Sequence, residues 1–96
     1  MAITKTIEGS EATFAIDGWL DTQSAPELAS ALAGLDASVT SLTLDLAGVE
    51  YISSAGIRQL VGALKKMGGA LTIRNVKPEV YEVLRLTGVA TRLNIV

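Results

Sequence analysis

The sequence predicts a single α/β domain: a mostly parallel sheet of about five strands with helices packed mainly on one face. Two patterns predict it. Runs that alternate apolar and polar residues, the period of a half-buried strand, take turns along the chain with stripes spaced three and four apart, the period of an amphipathic helix. Glycine or proline stands near most of the changes of period. The order is β-β-α-β-α-β-α-β, and strands separated by helices pair in parallel through right-handed crossovers. A third observation sets the domain count. The 96 residues contain no linker, repeat or low-complexity stretch, so residues 1–96 read as one domain.

The first two strands are "AITKTIEG" and "EATFAIDGWL", with Gly9-Ser10 as a hairpin turn. Phe14 and Ile16 alternate with Thr13, Ala15 and Asp17. "DTQSAPELASALAGL" changes period: Thr22 or Ser24 suits the cap, Pro26 the first turn, and Leu28, Leu32 and Leu35 form one stripe. Leu42, Leu44 and Leu46 then alternate with Thr43 and Asp45, in a strand expected to end near Val49. The next helix, expected from about Ala55, places Ile57, Leu60, Val61 and Leu64 toward the core and ends at Gly68-Gly69. "ALTIRNV" reads as a strand. "KPEVYEVLRLTGV" reads as a helix with Val80, Val83, Leu84 and Thr87 inward and Gly88 as its stop, and "TRLNIV" as a closing strand.

Composition narrows the chemistry. Without cysteine there is no disulfide, thiolate metal site or cysteine nucleophile. Without histidine the commonest general base and metal ligand are gone. No phosphate-binding glycine loop, dinucleotide fingerprint or G-x-S-x-G elbow is present. These facts point away from an enzyme and from a metal or cofactor. A net charge of −2 does not supply the basic surface that nucleic acid wants, and Lys65-Lys66 is too short a basic cluster for a lipid patch. No apolar run approaches a membrane span and the N-terminus lacks a signal-peptide core. The expectation is a soluble cytoplasmic protein, a monomer or weak dimer, without membrane insertion.

The informative stretch is Tyr51 to Arg58, "YISSAGIR", at the junction of a strand and a helix. Local sequence assigns Ser53 or Ser54 to capping, the hydroxyl accepting from a free N–H of the first turn. The same geometry suits a phosphate, because a helix N-terminus offers unpaired N–H groups and the positive end of a dipole.

"LTLDLAGVEYISSAGIRQLVGALKKMGGALTI" resembles the centre of a STAS domain, the fold of bacterial anti-sigma factor antagonists. "IDGWLDTQSAPEL" is similar to that family's Gly-x-Leu-Asp segment, and "KPEVYEVLRLTGV" to its third helix. The resemblance covers about Phe14 to Ile95. It implies a partner-switching regulator of transcription rather than an enzyme. The unphosphorylated antagonist binds an anti-sigma factor that is also an ATP-binding, histidine-kinase-like serine kinase, and so frees the sigma factor. Phosphorylation ends the contact and a serine phosphatase restores it. Family members commonly read Asp-Ser-Ser-Gly at this point. Aligning on Gly56 puts Ser54 at the modified position and leaves Ser53, in place of the aspartate, as the second choice. The implied partner-binding residues are Asp21, Thr22, Ser53, Ser54, Ala55, Gly56, Arg58, Gln59 and Gly62.

Two readings stand beside the switch. One is a separate, unphosphorylated STAS subunit of a membrane transport complex, for instance a lipid transporter. The other is a small-ligand sensor, which the few aromatics and the lack of a polar cluster disfavour. Asp21 is open between a partner contact and a brace of its own loop. Trp19 is expected to be exposed, although a lone tryptophan more often plugs a core or anchors a loop.

Overall fold

The sheet begins with a hairpin. In the computed structural model, which describes residues 1–96, β1 (Ala2–Glu8) and β2 (Glu11–Leu20) pair antiparallel with Glu8 opposite Glu11. Gly9 opens the two-residue turn at φ +62°, the left-handed conformation that a glycine at this place adopts freely. β3 (Ser41–Ile52) joins β2 in parallel, β4 (Leu71–Arg74) joins β3, and β5 (Asn94–Ile95) joins β4. The spatial order is β1-β2-β3-β4-β5. α1 (Ala25–Ala33), α2 (Ser54–Lys66) and α3 (Pro78–Leu86) connect the parallel steps.

Right-handed crossovers that all step the same way along a sheet put their helices on one face. The burial pattern follows. Phe14 and Ile16 of β2, Leu42, Leu44 and Leu46 of β3, and Leu71 and Ile73 of β4 are buried under the helices. Their alternates Thr13, Ala15, Thr43, Asp45, Thr72 and Arg74 lie on the open side, partly or fully exposed. Leu28 and Leu32 of α1, Leu60 and Ala63 of α2, and Val80 and Leu84 of α3 complete one continuous core.

Four details differ from the sequence expectation. β3 does not end near Val49 but runs to Ile52. Its buried residues step by two through Leu42, Leu44 and Leu46, then by three to Val49 and Ile52. The cause is a pair of register shifts against β2, between Ala15 and Asp17 and between Gly18 and Trp19, each leaving an extra residue on β3. A bulge of this kind breaks the period of two without ending the strand.

In α2 the line buried most deeply is Gly56, Leu60 and Ala63, beside Ile57; Val61 and Leu64 are only partly buried. Small residues on that line let the helix lie close, and the larger ones fill its flanks. In α3, Thr87 is exposed and Val83 only partly buried. Thr87 closes the helix, its hydroxyl set against the carbonyls of Val83 (2.9 Å) and Leu84 (3.1 Å). Finally, "TRLNIV" contributes only Asn94–Ile95 to the sheet, because a 3₁₀ turn over Val89–Arg92 tucks Val89 and Leu93 into the core first.

Candidate functional site

The strand ends of β2 and β3 lie side by side, and each leads into a helix. After β2 the chain folds into a tight, fully bonded turn. Asp21 Oδ1 accepts from the N–H groups of Gln23 and Ser24, both at 3.0 Å. Ser24 Oγ donates to the Trp19 carbonyl at 2.6 Å and accepts from the Asp21 N–H at 2.9 Å. The hydroxyl has one proton, and the shorter bond to Trp19 takes it, although Asp21 Oδ1 also lies 3.1 Å away. The Ser24 N–H bond, foremost, holds the Asp21 carboxyl below its ordinary range; burial, the next largest influence, opposes it, and the Gln23 N–H bond assists.

Asp21 therefore braces its own loop. The expected hydroxyl cap of α1 is absent. Ser24 occupies the cap position with helical backbone angles (φ −93°, ψ −21°), so its Oγ turns back to β2 rather than forward to the helix. Thr22 is exposed and does not cap.

The start of α2 is built differently. Ser53 is extended (φ −104°, ψ 176°), donates its N–H to the Leu20 carbonyl at 2.9 Å and accepts from the Ile57 N–H at 2.9 Å. It holds the cap position, yet its Oγ makes no cap bond and is buried without a partner. Ser54 is exposed at the first helical position. Neither serine supplies the expected side-chain cap. Bonding within α2 starts at Ile57, so the N–H groups of Ser54, Ala55 and Gly56 precede it, as at any helix start. The first turn has no acidic residue.

Gly56 is held by packing. A Cβ there would lie 2.6 Å from the Leu20 carbonyl oxygen, 2.8 Å from Leu20 Cγ and 2.9 Å from Ile52 Cγ1. Ala55 and Gly56, named above as partner-binding, are both buried, and Gly56 seats the helix against the ends of β2 and β3.

Arg58 and Gly62 are exposed and Gln59 is partly so. A groove of about 460 Å³ beside Ser53 is lined by Trp19, Asp21, Thr22, Gln23 and Tyr51 as well. Three predicted residues, Asp21, Thr22 and Ser53, thus meet in one place, while Arg58, Gln59 and Gly62 follow along α2. Trp19 is 60% exposed and Tyr51 48%, with ring centroids 5.4 Å apart. Sequence reasoning missed Tyr51. Its only signal is the broken alternation after Leu46, which turns Tyr51 outward opposite Trp19.

A family model described as "Mlab, STAS domain" matches residues 3–96. The anti-sigma-B factor antagonist of Bacillus subtilis (strain 168) is 31% identical over 83 residues, covering 83% of this chain and 76% of that protein. Among solved structures, an anti-sigma factor antagonist from Mycobacterium paratuberculosis superposes with a TM-score of 0.86 at 23% identity, covering 98% of this chain and 83% of that one. A sulfate transporter family protein from Wolinella succinogenes superposes with a TM-score of 0.77 at 19% identity, covering 94% and 76%. Both superpositions show a shared fold. No helix of the domain is long and apolar enough to cross a membrane. By its match to the STAS domain model and to the Bacillus subtilis relative, and by its fold, the chain belongs to the STAS domain family of anti-sigma factor antagonists.

Proposed function

We infer that this protein is a non-enzymatic, phosphorylation-switched antagonist. Unphosphorylated, it binds an anti-sigma factor that is also an ATP-binding serine kinase. Phosphorylation of Ser54 ends that contact and a phosphatase restores it. One observation carries the choice of serine: Ser54 is exposed, whereas Ser53 Oγ is buried without a partner. A kinase must bring the γ-phosphorus of ATP in line with the hydroxyl, and only an exposed Oγ permits that approach.

The junction suits both states. A phosphate on Ser54 would meet the free N–H groups of the first turn and the positive end of a helix with no acid at its start. It would add about −1.5 to −2 charges. Carried unpaired into a contact, such a charge weakens binding by about a hundredfold or more. The groove formed with Asp21, Thr22 and Ser53 and the outer face of α2 at Arg58 and Gln59 supply contact surface.

A second reading is favoured by the Mlab STAS model and by the transporter-family fold neighbour. In it the protein is an unphosphorylated STAS subunit of a membrane transport complex.

Affinity capture from the source cells separates the two. Wild type, Ser54→Ala and Ser54→Asp serve as baits. The switch requires a small histidine-kinase-like ATPase to come down with wild type and Ser54→Ala and to be lost with Ser54→Asp. It also requires phosphate to map to Ser54 when purified protein, ATP and that kinase are mixed. Transporter subunits held equally by all three baits would establish the second reading instead.

A further inference from the structure

Gly62 sits in the middle of α2, where glycine costs about 1 kcal/mol against alanine. Neither its own fold nor its backbone asks for it. A Cβ there meets nothing within 4 Å, and Gly62 is not among the glycines with positive φ. It lies in the row Ser54, Arg58, Gly62, Lys66, residues four apart on one helix face, all four exposed. Rows of this kind are the ridges by which helices interlock, and Gly62 leaves a notch in this one. Cations flank the notch. Arg58, Lys65 and Lys66 are the charged residues of α2, and no acid shares the helix. None of the three is in an ion pair; the pairs in the domain are Arg74–Asp45 and Arg85–Glu82. A chain of net charge −2 thus presents one purely cationic helix face.

We propose that this face docks an acidic helix of a partner protein, with a bulky partner side chain seated in the Gly62 notch and carboxylates meeting Arg58 and Lys66. Those two cations are eight residues apart, so the carboxylates are spaced by about 12 Å. A protein partner fits better than a membrane surface. The exposed large apolar residues are Ile7, Trp19, Tyr51, Tyr81, Leu86 and Val96, and none lies on α2, whereas a helix held on lipid needs an apolar face. The proposal rests on the Ser54 reading for its control. A phosphate on Ser54 precedes Arg58 by four residues, the favourable order for an acid-base pair on a helix. It would engage Arg58 and repel the incoming carboxylates, which gives the switch its sign.

The test is photo-crosslinking from Gln59 and Lys65 in the source cells, with the adduct sequenced, followed by binding measurements with the purified partner. Expected is an adduct to a helical segment with carboxylates about two turns apart. Arg58→Glu with Lys66→Glu then lowers affinity about tenfold or more, and converting the partner's carboxylates to lysine restores it. Gly62→Leu weakens binding similarly with an unchanged circular dichroism spectrum. Gly62→Ala raises the thermal midpoint yet still weakens binding. No adduct from α2, an adduct to a basic or extended segment, or indifference to charge reversal overturns the proposal. So does binding to phosphatidylglycerol vesicles that the double reversal abolishes, which would make the face a lipid site. An α2 adduct that Ser54→Asp leaves untouched keeps the docking helix and removes the switch. Loss of the kinase on Ser54→Asp without an α2 adduct does the reverse.

Discussion

Two helix starts stand next to each other and are built on opposite principles. The turn into α1 is closed: Asp21 and Ser24 satisfy one another, the loop N–H groups and the Trp19 carbonyl. The start of α2 is open: Ser53 spends its backbone on Leu20 and Ile57, and its hydroxyl has no partner. The chain has equivalent side chains at both places, a serine at each cap position. The difference lies in what the preceding strand leaves within reach. The lesson is a division of labour. The α1 turn has its polar groups paired, and the α2 start keeps first-turn N–H groups that no helix bond uses.

The largest effect comes from the residue that joins the two. Gly56→Ala drives a methyl into Leu20 and Ile52, and one of the contacts is backbone oxygen, which cannot swing away. Urea denaturation should show a loss of about 3 kcal/mol, with both starts disturbed together. Next is the closed turn alone. Ser24→Ala strips the partner from the Trp19 carbonyl and the Asp21 N–H, and the same measurement should record a loss of about 2 kcal/mol.

Ser53→Ala, the matching change at the open start, should go the other way. It removes a buried oxygen that bonds to nothing, so stability should stay level or rise by up to about 1 kcal/mol. A loss equal to that of Ser24→Ala would show that the two starts are alike after all.

The smallest effect is confined to acid. Asp21 titrates below its ordinary value of 3.8 in the folded protein. Its stabilisation is therefore complete above that value and lost as pH falls through the lower folded one. Asp21→Asn keeps an acceptor but cannot titrate. Its stability should fall less steeply than wild type below about pH 4, with the curves parallel at neutral pH. Curves that stay parallel into acid would remove Asp21 from the closed turn.

Much of this was legible in the chain. Leu42, Leu44 and Leu46 announce a strand, and Ile57 and Leu60 a helix, because burial repeats with the geometry of each element. Gly9 and Gly88 mark turns that need left-handed backbone. The Ser53-Ser54 junction was legible too, since it lies where one period gives way to the other. The bulges in β3 were not. They arise from how β3 pairs with β2, and a single strand carries no record of its neighbour's register. Without them Tyr51 has no reason to meet Trp19, and alternation alone ends the strand early.

By itself, then, the sequence determined the alternation of elements, the one-sided core and the place of the serines, because these follow from local periods and turn chemistry. Only the tertiary structure decided which serine hydroxyl is exposed, that Asp21 braces a turn, that Gly56 is required by packing and that Gly62 is not. Each of those depends on what approaches from elsewhere in the fold: the Leu20 carbonyl against Gly56, the turn N–H groups against Asp21, and empty space against Gly62. Distance between parts of a chain that are far apart in sequence is the quantity a sequence pattern does not contain.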